Sequence, residues 1–356
     1  MGPVPRISLR AGSWFIVVGI GVLWGVLAGV SGCNMNQAPD EVIRLEGTFY
    51  DWQVCGEYFY ALTMGHSVAH MWKWSGDSIV KVRELSLREF SHGKFAVVSG
   101  TTFLRFWYQE EAGDILFRMG DIESERVTRQ WRIPWRSKQE MYEFSSPSSQ
   151  GRYIAVWGWG SDERQRQHIL RVGLVDVRDG GIFWAGEDME ERGGELIRSV
   201  KPSEEGKYIG VAGWALGTTM VDVEQQRVLW KQCPEDEVCS HSLAFTPDSK
   251  LVYAGGVRGA VYEMEVATGK VLRKWWPSVW GERGGKSHVD DLCVSPDGKW
   301  VAACLSPSGR VVVFARATGQ VQRVLVPGGD TIGFSPDSRY LGAASSGAIR
   351  IWKVQE

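Results

Sequence analysis

Short apolar runs alternate with turn residues along most of the chain. Between Leu292 and Thr318 the sequence reads as a strand, a Ser-Pro-Asp-Gly turn, a second strand, another Pro/Gly turn and a third strand. Runs of this length that are bounded by Gly, Pro, Ser and Asp are typical of β-strands and hairpins. Because related units recur from Gly47 to the end, the pattern predicts an all-β protein made by repetition of one supersecondary block.

The turns can be aligned with one another, and the alignment measures the repeat. In each of seven copies a small residue and a basic residue lead into an aromatic or apolar residue, with Glu57 and Leu251 as departures. The residues that start the strands are Tyr58, Phe95, Tyr153, Tyr208, Leu251, Trp300 and Tyr340. Repeats of roughly 40–50 residues built from short strands indicate propeller blades rather than helical solenoids. We therefore predict a seven-bladed β-propeller.

Three runs carry a more specific likeness, namely Phe245–Gly256, Val294–Cys304 and Phe334–Val354. They resemble the WD-repeat propeller family in its bacterial form, closely from Ser240 to the end and more weakly over residues 47–232. The resemblance implies a ring of blades that acts as a platform for partners. The Gly-His and Trp-Asp pairs of the strongest family members are missing, so the resemblance does not extend to the buried hydrogen-bond network that those pairs build.

The N-terminal segment follows a different pattern. Arg6 and Arg10 precede an uncharged apolar run over residues 13–32, and Cys33 follows directly. A basic start, an apolar centre and small residues before a cut describe a secretory signal. Small residues followed by Cys resemble a bacterial lipobox. That resemblance implies that residues 1–32 are a signal peptide and that the Cys33 thiol carries lipid.

Lipid on Cys33 would anchor the protein to a membrane without a spanning segment. The predicted localisation is the bacterial cell envelope, at the outer membrane or the periplasmic face. The alternative is an N-terminal transmembrane helix that is not cleaved, because about 20 apolar residues can just span a bilayer. Residues 33–40 are predicted to form a polar tether, and residues 41–356 the propeller.

The last predicted blade ends with its third strand at Ile349–Val354, where the chain stops. A short strand near the start, Val42–Glu46, has no preceding strand with which to pair. In WD-repeat propellers an N-terminal strand commonly completes the last blade, which closes the ring and removes open sheet edges. We predict the same closure here.

Composition and motifs narrow the function further. A formal net charge of −2 and a hydrophobic content of 44% suit a globular domain and give no reason to expect a nucleic-acid partner. The serine-hydrolase elbow, the His-Glu-x-x-His zinc motif, the phosphate loop and the calcium loop are missing from the sequence. We therefore predict no catalytic residue, no metal and no cofactor. A propeller enzyme that binds a small ligand or a quinone cofactor is an alternative, because residues 267–270 with Trp275 partly resemble the blade ending of that class.

The cysteines suggest one crosslink. Cys233 and Cys239 bracket a short turn between the fourth and fifth blades, and in an exported protein such a loop is a candidate for a disulfide. Closure would contribute about 2–3 kcal/mol in the chain-entropy model; two separate thiols are the alternative. Cys293 and Cys304 lie on adjacent predicted strands and are expected to be buried free thiols, because Cys packs as a small apolar residue.

Two loops combine Trp with basic residues, and they are the candidate partner-binding sites. The residues concerned are Trp131, Trp135 and Arg136 in one loop and Trp280 and Arg283 in the other. Trp and Arg dominate the energy of protein interfaces, and loops rich in Pro and Gly rarely bury Trp fully. The alternative is that Trp fills the contacts between blades. We favour that interpretation for Trp157, Trp275 and Trp352.

These features together predict a membrane-anchored WD-repeat propeller that acts as a non-enzymatic protein-interaction scaffold at the cell envelope. The protein partner is not identified by the sequence, because a fold alone does not name its ligand. A narrower alternative is a role like that of the propeller lipoprotein in the outer-membrane protein assembly machine.

Overall fold

The computed structural model describes residues 34–44, 48–55, 58–64, 68–75, 78–86, 94–99, 102–109, 114–121, 124, 126–134, 141–145, 148, 151–162, 167–184, 189–191, 197–213, 217–233, 240–256, 258–277, 287–345 and 347–354. They fall within the larger of the two units into which the chain divides, residues 33–356. Within these ranges there is no helix that could cross a membrane. The predicted signal peptide, residues 1–32, and the predicted lipidation site, Cys33, lie outside them.

The described strands are numbered in chain order. Two of them precede the first complete blade: β1 (Asn34–Gln37) and β2 (Glu41–Arg44). Blades 1 to 3 contain β3 (Thr48–Cys55), β4 (Tyr58–Met64), β5 (Val68–Ser75), β6 (Ser78–Ser86), β7 (Lys94–Ser99), β8 (Thr102–Gln109), β9 (Asp114–Asp121), β10 (Val127–Pro134), β11 (Met141–Phe144), β12 (Tyr153–Asp162), β13 (Gln167–Asp176), β14 (Ile182–Trp184) and β15 (Met189–Glu191). Blades 4 to 7 contain β16 (Ile197–Pro202), β17 (Tyr208–Gly213), β18 (Gly217–Asp222), β19 (Arg227–Gln232), β20 (Ser240–Phe245), β21 (Leu251–Gly256), β22 (Val261–Glu265), β23 (Val271–Trp275), β24 (His288–Val294), β25 (Trp300–Ser306), β26 (Arg310–Ala315), β27 (Gln320–Leu325), β28 (Thr331–Phe334), β29 (Tyr340–Ser345) and β30 (Ala348–Lys353).

The strands form seven sheets in which consecutive strands pair antiparallel. The middle strands are the most buried, as in β18, whereas the fourth strand of the same blade, β19, is largely accessible to solvent. The first strands of neighbouring blades lie side by side from blade 4 to blade 7, and β28 of blade 7 in turn lies beside β3 of blade 1. The sheets therefore form a ring, and the predicted all-β, seven-bladed propeller is confirmed.

The N-terminal strand closes the last blade as predicted. Strand β2 pairs antiparallel with β30, with Ile43 opposite Ile349, and so supplies the fourth strand of blade 7. Asp40 extends the junction, because its backbone N–H donates to the carbonyl of Ile351 at 2.8 Å and its carboxylate accepts the backbone N–H of Lys353 at 2.6 Å.

The segment expected to be a tether contains a strand of its own. Strand β1 lies parallel to β27 and adds a fifth strand to blade 6. The carbonyl of Gln37 accepts the backbone N–H of Val326 at 3.1 Å and the indole N–H of Trp352 at 3.2 Å. The side-chain oxygen of Gln37 accepts a third bond, from Arg323 at 2.7 Å. The open outer edge of blade 6 thus offers partners that a solvated tether would lack, and the tether expectation is corrected for residues 34–37.

The turn alignment misplaced one blade. Phe95 was aligned with the starts of the second strands, but it lies in β7, which is the first strand of blade 2. The second strand is β8, which begins at Thr102. The Gly-Lys-Phe-Ala sequence at residues 93–96 matches the repeated turn in residue types but not in position within the blade. A glycine turn followed by an aromatic residue suits the start of a first strand as well as that of a second strand.

In blades 5 to 7 the repeated turn has a common hydrogen-bond pattern. A hydroxyl group donates to the Asp two positions later at 2.6 Å, from Thr246, Ser295 and Ser335 in turn. Each Asp also accepts a backbone N–H within its own turn, at 3.0 to 3.2 Å. These carboxylates therefore hold the turns, as short polar side chains commonly do.

Apolar side chains fill the contacts between blades. Between blades 6 and 7 one buried cluster joins Leu325 to Phe334 and Trp352, and Trp352 is completely buried. Full burial of one such side chain contributes about 2–3 kcal/mol. Cys304 lies in the same cluster as a buried free thiol, with Cys293 packed against it. Burial raises the pKa of both thiols.

Candidate interaction surface

Strand direction decides which loops share a face of the ring. Because neighbouring strands run antiparallel, the loop between the second and third strands of a blade opens on the same face as the link from the fourth strand to the next blade. The turns between strands one and two and between strands three and four open on the opposite face. We call the first of these faces the link face.

Most of the residues predicted from sequence to bind a partner belong to links. Trp135 and Arg136 follow β10 in the link to blade 3, and Trp280 and Arg283 lie in the link from β23 to β24. All four are outside the described residues, so their roles stay predictions. The strand ends that flank both links lie on the link face.

The predicted disulfide falls in the link between blades 4 and 5. Cys233 directly follows β19 and is exposed. Cys239 lies outside the described residues. The pairing of Cys233 with Cys239 therefore stays a prediction.

Trp131 lies in a different setting from the one expected. It belongs to β10, the fourth strand of blade 2, and not to a loop. Its ring stacks on Phe117, with 5.2 Å between the ring centroids. On its other side lies Gly180 of blade 3, where a Cβ atom would come within 3.0 Å of the Trp131 ring. Trp131 therefore packs blade 2 against blade 3, the role that was assigned above to Trp residues within strands.

A cleft of about 560 Å³ opens on the link face between blades 6 and 7. Three stretches of chain form it: the loop at 308–310, the link at 326–330, and the end of β29 with Arg350 of β30. Its volume lies within the range of about 300–1,000 Å³ that is usual for ligand sites. We call it the arginine cleft.

One wall of the arginine cleft is fixed by close backbone packing. The N–H of Gly328 donates to the carbonyl of Gly309 at 2.6 Å, and the N–H of Asp330 donates to the carbonyl of Ala344 at 2.8 Å. A Cβ atom on Gly328 would lie 2.5 Å from the Gly309 oxygen, and one on Gly329 would lie 2.6 Å from the Ala344 oxygen. Because backbone atoms cannot give way, only glycine fits at these two positions.

The charge of the arginine cleft comes from two arginines and one aspartate. Arg310 and Arg350 are half-buried, whereas Asp330 is exposed. One terminal nitrogen of Arg350, Nη1, donates to the hydroxyl of Ser345 at 2.9 Å and to the carbonyl of Gly328 at 3.3 Å. The lining is therefore net positive, and one of its cations is held in place by the walls.

A much smaller cleft, of about 20 Å³, adjoins the first on the same face, between blades 5 and 6. It shares Ser308 and Arg310 with the arginine cleft and adds Trp276, Pro277 and Arg258. The ammonium group of Lys274 lies 4.6 Å from the centroid of the Trp276 ring. Pro277 is the last described residue before the link that contains Trp280 and Arg283, so that link leaves the ring at this cleft. We call it the tryptophan cleft.

The inner strands carry a histidine pair near this face. The rings of His241 and His288 stack at 5.3 Å between centroids, and Nδ1 of His241 lies 3.9 Å from a carboxylate oxygen of Asp290. Burial acts to raise the pKa of Asp290, but hydrogen bonds from His241 and Ser306 outweigh it and the net shift is downward. No group of three or more His, Cys, Asp or Glu side chains among the described residues could hold a metal ion.

Comparison with known proteins agrees with this architecture. The sequence profile described as WD domain, G-beta repeat, matches residues 281–314. The structure is similar to the β-propeller domain of Cps50 (Swd1) from Myceliophteria thermophila, with a TM-score of 0.58, 12% sequence identity, and coverage of 89% of this chain and 99% of that chain. The chain is a seven-bladed β-propeller with a match to this repeat in blade 6. No curated protein matches it in sequence.

In this WD-repeat-like propeller, the turn that partly resembles a quinone enzyme has a packing role. Gly269 lies in that turn at a φ of +72°, and a Cβ atom there would come within 2.6 Å of the Trp230 ring of blade 4. The indole N–H of Trp230 donates to the carbonyl of Val266 at 2.7 Å. Contact with the neighbouring blade thus accounts for the glycine at this position.

Arg310 and Arg350 were not predicted from the sequence to be binding residues. Each is a single arginine at or near the start of a short strand, where a basic residue usually marks a solvated strand end. The available signal was the pair of Pro/Gly-rich loops, at 306–310 and 326–330, on alternate connections of blade 6, which open on the same face. The ring places both of these loops beside Arg350.

Proposed function

We propose that this propeller is a non-enzymatic protein-interaction scaffold, held at the bacterial cell envelope by lipid on Cys33, and that its partner binds the link face of blades 5 to 7. One observation carries the binding proposal: the arginine cleft and the tryptophan cleft adjoin each other on that face. The link that contains Trp280 and Arg283 begins beside the tryptophan cleft. Aromatic and arginine side chains that flank polar clefts are the composition of interface hot spots.

The link face suits a macromolecular partner better than a small apolar ligand. The two clefts share Ser308 and Arg310, and each is lined by charged and polar groups together with apolar ones. Sites for small molecules are usually concave and mostly apolar, with few polar groups. A rigid ring can hold several such clefts at fixed separations, which favours recognition of an extended surface.

Affinity capture tests the binding proposal. The mature chain is used as bait in envelope extract, beside Arg310→Glu and Trp280→Ala on the link face and Lys250→Glu as a control in an exposed turn of the opposite face. We expect a stoichiometric protein that is retained by the wild type and the control and lost with the two link-face variants. Retention by all four proteins would place the partner elsewhere. A co-purifying sugar or chromophore without any protein would overturn the scaffold proposal.

The anchor is tested separately, because it rests on the sequence of residues 1–33. We expect intact-mass measurement of the wild type from membranes to give a chain that begins at Cys33 and carries lipid. Cys33→Ser should accumulate as an uncut, unlipidated precursor. Normal maturation of Cys33→Ser would overturn the lipoprotein proposal, and a wild-type protein that keeps residues 1–32 would favour the transmembrane alternative.

A further inference from the structure

The arginine cleft has a geometry that selects a ligand chemistry. We propose that it binds the carboxylate of an acidic side chain in an extended peptide segment of the partner, and that an apolar side chain of the same segment packs against Trp276 and Pro277 at the mouth of the tryptophan cleft. The inference rests on the proposed scaffold function for the origin of the peptide. The chemistry of the clefts is argued independently below.

Arg350 is oriented to receive a carboxylate from the side. A guanidinium group has five N–H donors, two on each terminal nitrogen and one on Nε. The two donors of Nη1 point to Ser345 and Gly328, which hold the group in place. Within the described residues, Nε and Nη2 have no acceptor, and these are the two nitrogens that form a parallel, bidentate pair with a carboxylate. A donor pair that is fixed before binding loses less side-chain entropy when the ligand arrives.

Arg310 supplies the second positive charge. It is half-buried at the start of β26, and its guanidinium group has no hydrogen-bond or ion-pair partner among the described residues. Asp330 also lines the cleft, but it is exposed, and two arginines against one aspartate leave the lining net positive. Partial burial reduces solvent screening at the arginines, so an incoming anion gains more there than at an exposed surface arginine.

The neighbouring tryptophan cleft argues for a peptide rather than an isolated anion. Arg310 and Ser308 line both clefts, so the two clefts lie on either side of these residues and within reach of one ligand. Trp276 and Pro277 present half-buried apolar surface there. An extended chain places successive side chains on opposite sides and alternate ones on the same side, so it can put an acidic and an apolar side chain into adjacent clefts.

The test uses a defined probe. A fluorescein-labelled hexapeptide with one glutamate and one leucine two positions apart, and glycine at the other positions, is titrated with the mature propeller and followed by fluorescence anisotropy. We expect saturable binding that weakens about tenfold with Arg350→Gln and with Arg310→Gln, because each change removes charge-assisted hydrogen bonds. Arg350→Lys should weaken binding to a similar extent, because lysine keeps the charge but lacks the planar fork. Lys250→Gln on the opposite face should bind as the wild type does.

Two further arms decide the chemistry. A probe with glutamine in place of glutamate should bind at least about tenfold more weakly if the carboxylate is the recognised group. Inorganic phosphate should displace the probe no better than free glutamate does. Equal binding of the glutamine probe, an unchanged Kd with Arg350→Gln, or displacement by phosphate at lower concentration than glutamate would overturn the proposal. Melting temperatures of all variants separate lost binding from lost folding.

The outcomes distinguish this inference from the scaffold proposal. If the probe binds as expected and envelope extract yields no protein partner, the carboxylate site stands and the scaffold proposal fails. If a partner is captured equally by the wild type and by Arg310→Glu, the scaffold proposal stands and the carboxylate site fails.

Discussion

The contact of blade 2 with blade 3 and the contact of blade 5 with blade 6 use the same pair of residues, an Arg followed two positions later by a Trp. Arg129 lies 5.2 Å from the centroid of the Trp131 ring, and Arg273 lies 5.0 Å from that of Trp275. Each arginine donates to backbone carbonyls in a turn of the next blade, at Arg178 in the first contact and at Ala317 and Arg316 in the second. The two contacts differ in what lies beneath the arginine.

In blade 5 the arginine is also half of an ion pair. Arg273 donates to the two carboxylate oxygens of Glu263 at 2.8 and 2.6 Å, and the hydroxyl of Tyr253 donates to the same carboxylate at 2.6 Å. The hydrogen bond to Glu263 raises the pKa of Arg273. In blade 2 the residue opposite Arg129 is Met119. The same Arg and Trp pair can thus join two blades in two ways. In blade 2 the arginine lies opposite an apolar residue, and in blade 5 it neutralises a buried carboxylate, so the fold depends more on the arginine of blade 5.

Removal of the two arginines should separate the joints most clearly. Arg273→Ala leaves the carboxylate of Glu263, which is 3% exposed, without its cation. We expect a loss of about 3 kcal/mol in the free energy of unfolding. Arg129→Ala should lose about 1 kcal/mol, because it removes packing and hydrogen bonds only. Urea denaturation of both variants measures the difference, and equal losses would refute it.

Replacement of the glycines that contact the two Trp rings should give the next largest loss of stability. A Cβ atom on Gly319 would lie 2.5 Å from Nε1 of Trp275, whereas one on Gly180 would lie 3.0 Å from the Trp131 ring. Both glycines have a φ near +70°, so alanine is strained at either position. We expect Gly319→Ala to lose about 2 kcal/mol and Gly180→Ala about 1 kcal/mol. A larger loss at Gly180 in thermal or urea unfolding would contradict the closer contact at Gly319.

A transplanted carboxylate sharpens the comparison. Met119→Glu places a carboxylate opposite Arg129, as Glu263 lies opposite Arg273. A double-mutant cycle with Arg129→Ala should give a coupling of about 1 kcal/mol, because this site is less buried. The matched cycle of Glu263→Gln with Arg273→Ala should give a larger coupling. The idea fails if the two couplings are equal.

The smallest expected effect distinguishes the turns of the two regions. In blade 5 the hydrogen bond from Thr246 lowers the pKa of Asp248 below its ordinary value of 3.8, whereas blade 3 has Gln150 at the corresponding position. A lowered pKa stabilises the fold above the ordinary value, and this stability is lost as pH falls through the folded pKa. Asp248→Asn should therefore cost about 0.5 kcal/mol at pH 7, and this cost should shrink as the pH falls below 3.8. Unfolding measured across that range checks it, and a cost that grows in acid would contradict the sign.

The parts of the fold that sequence predicted are those set by local rules. The seven blades and the missing fourth strand of the last blade follow from short apolar runs between turn residues and from the need to satisfy sheet edges. The closing strand β2 was predicted from this missing strand together with the resemblance to WD-repeat propellers. The same local rules misplaced Phe95, because a glycine turn before an aromatic residue precedes first strands as well as second strands.

The parts that sequence missed depend on closure of the ring. Arg310 and Arg350 belong to different blades, and only the packing of blade 6 on blade 7 makes them walls of one cleft. Trp131 was expected in a loop because it stands in a run of Trp and basic residues, yet it lies within β10, which extends to Pro134. The strand β1 was unpredictable from its polar sequence, because its partner edge on β27 exists only after blade 6 has formed.

The parallel pairing of β1 with β27 has a mechanical consequence. Asn34 is already paired beside Arg323, so whatever holds the preceding residue is joined to the ring without slack. A pull from that side acts along the strand and loads its hydrogen bonds together, in shear, instead of opening them one by one. The tension would pass from Asn34 along the strand to Gln37, which is bonded to Val326 and Trp352. Blades 6 and 7, which form the arginine cleft, are therefore the first blades to receive a force that is applied at Asn34.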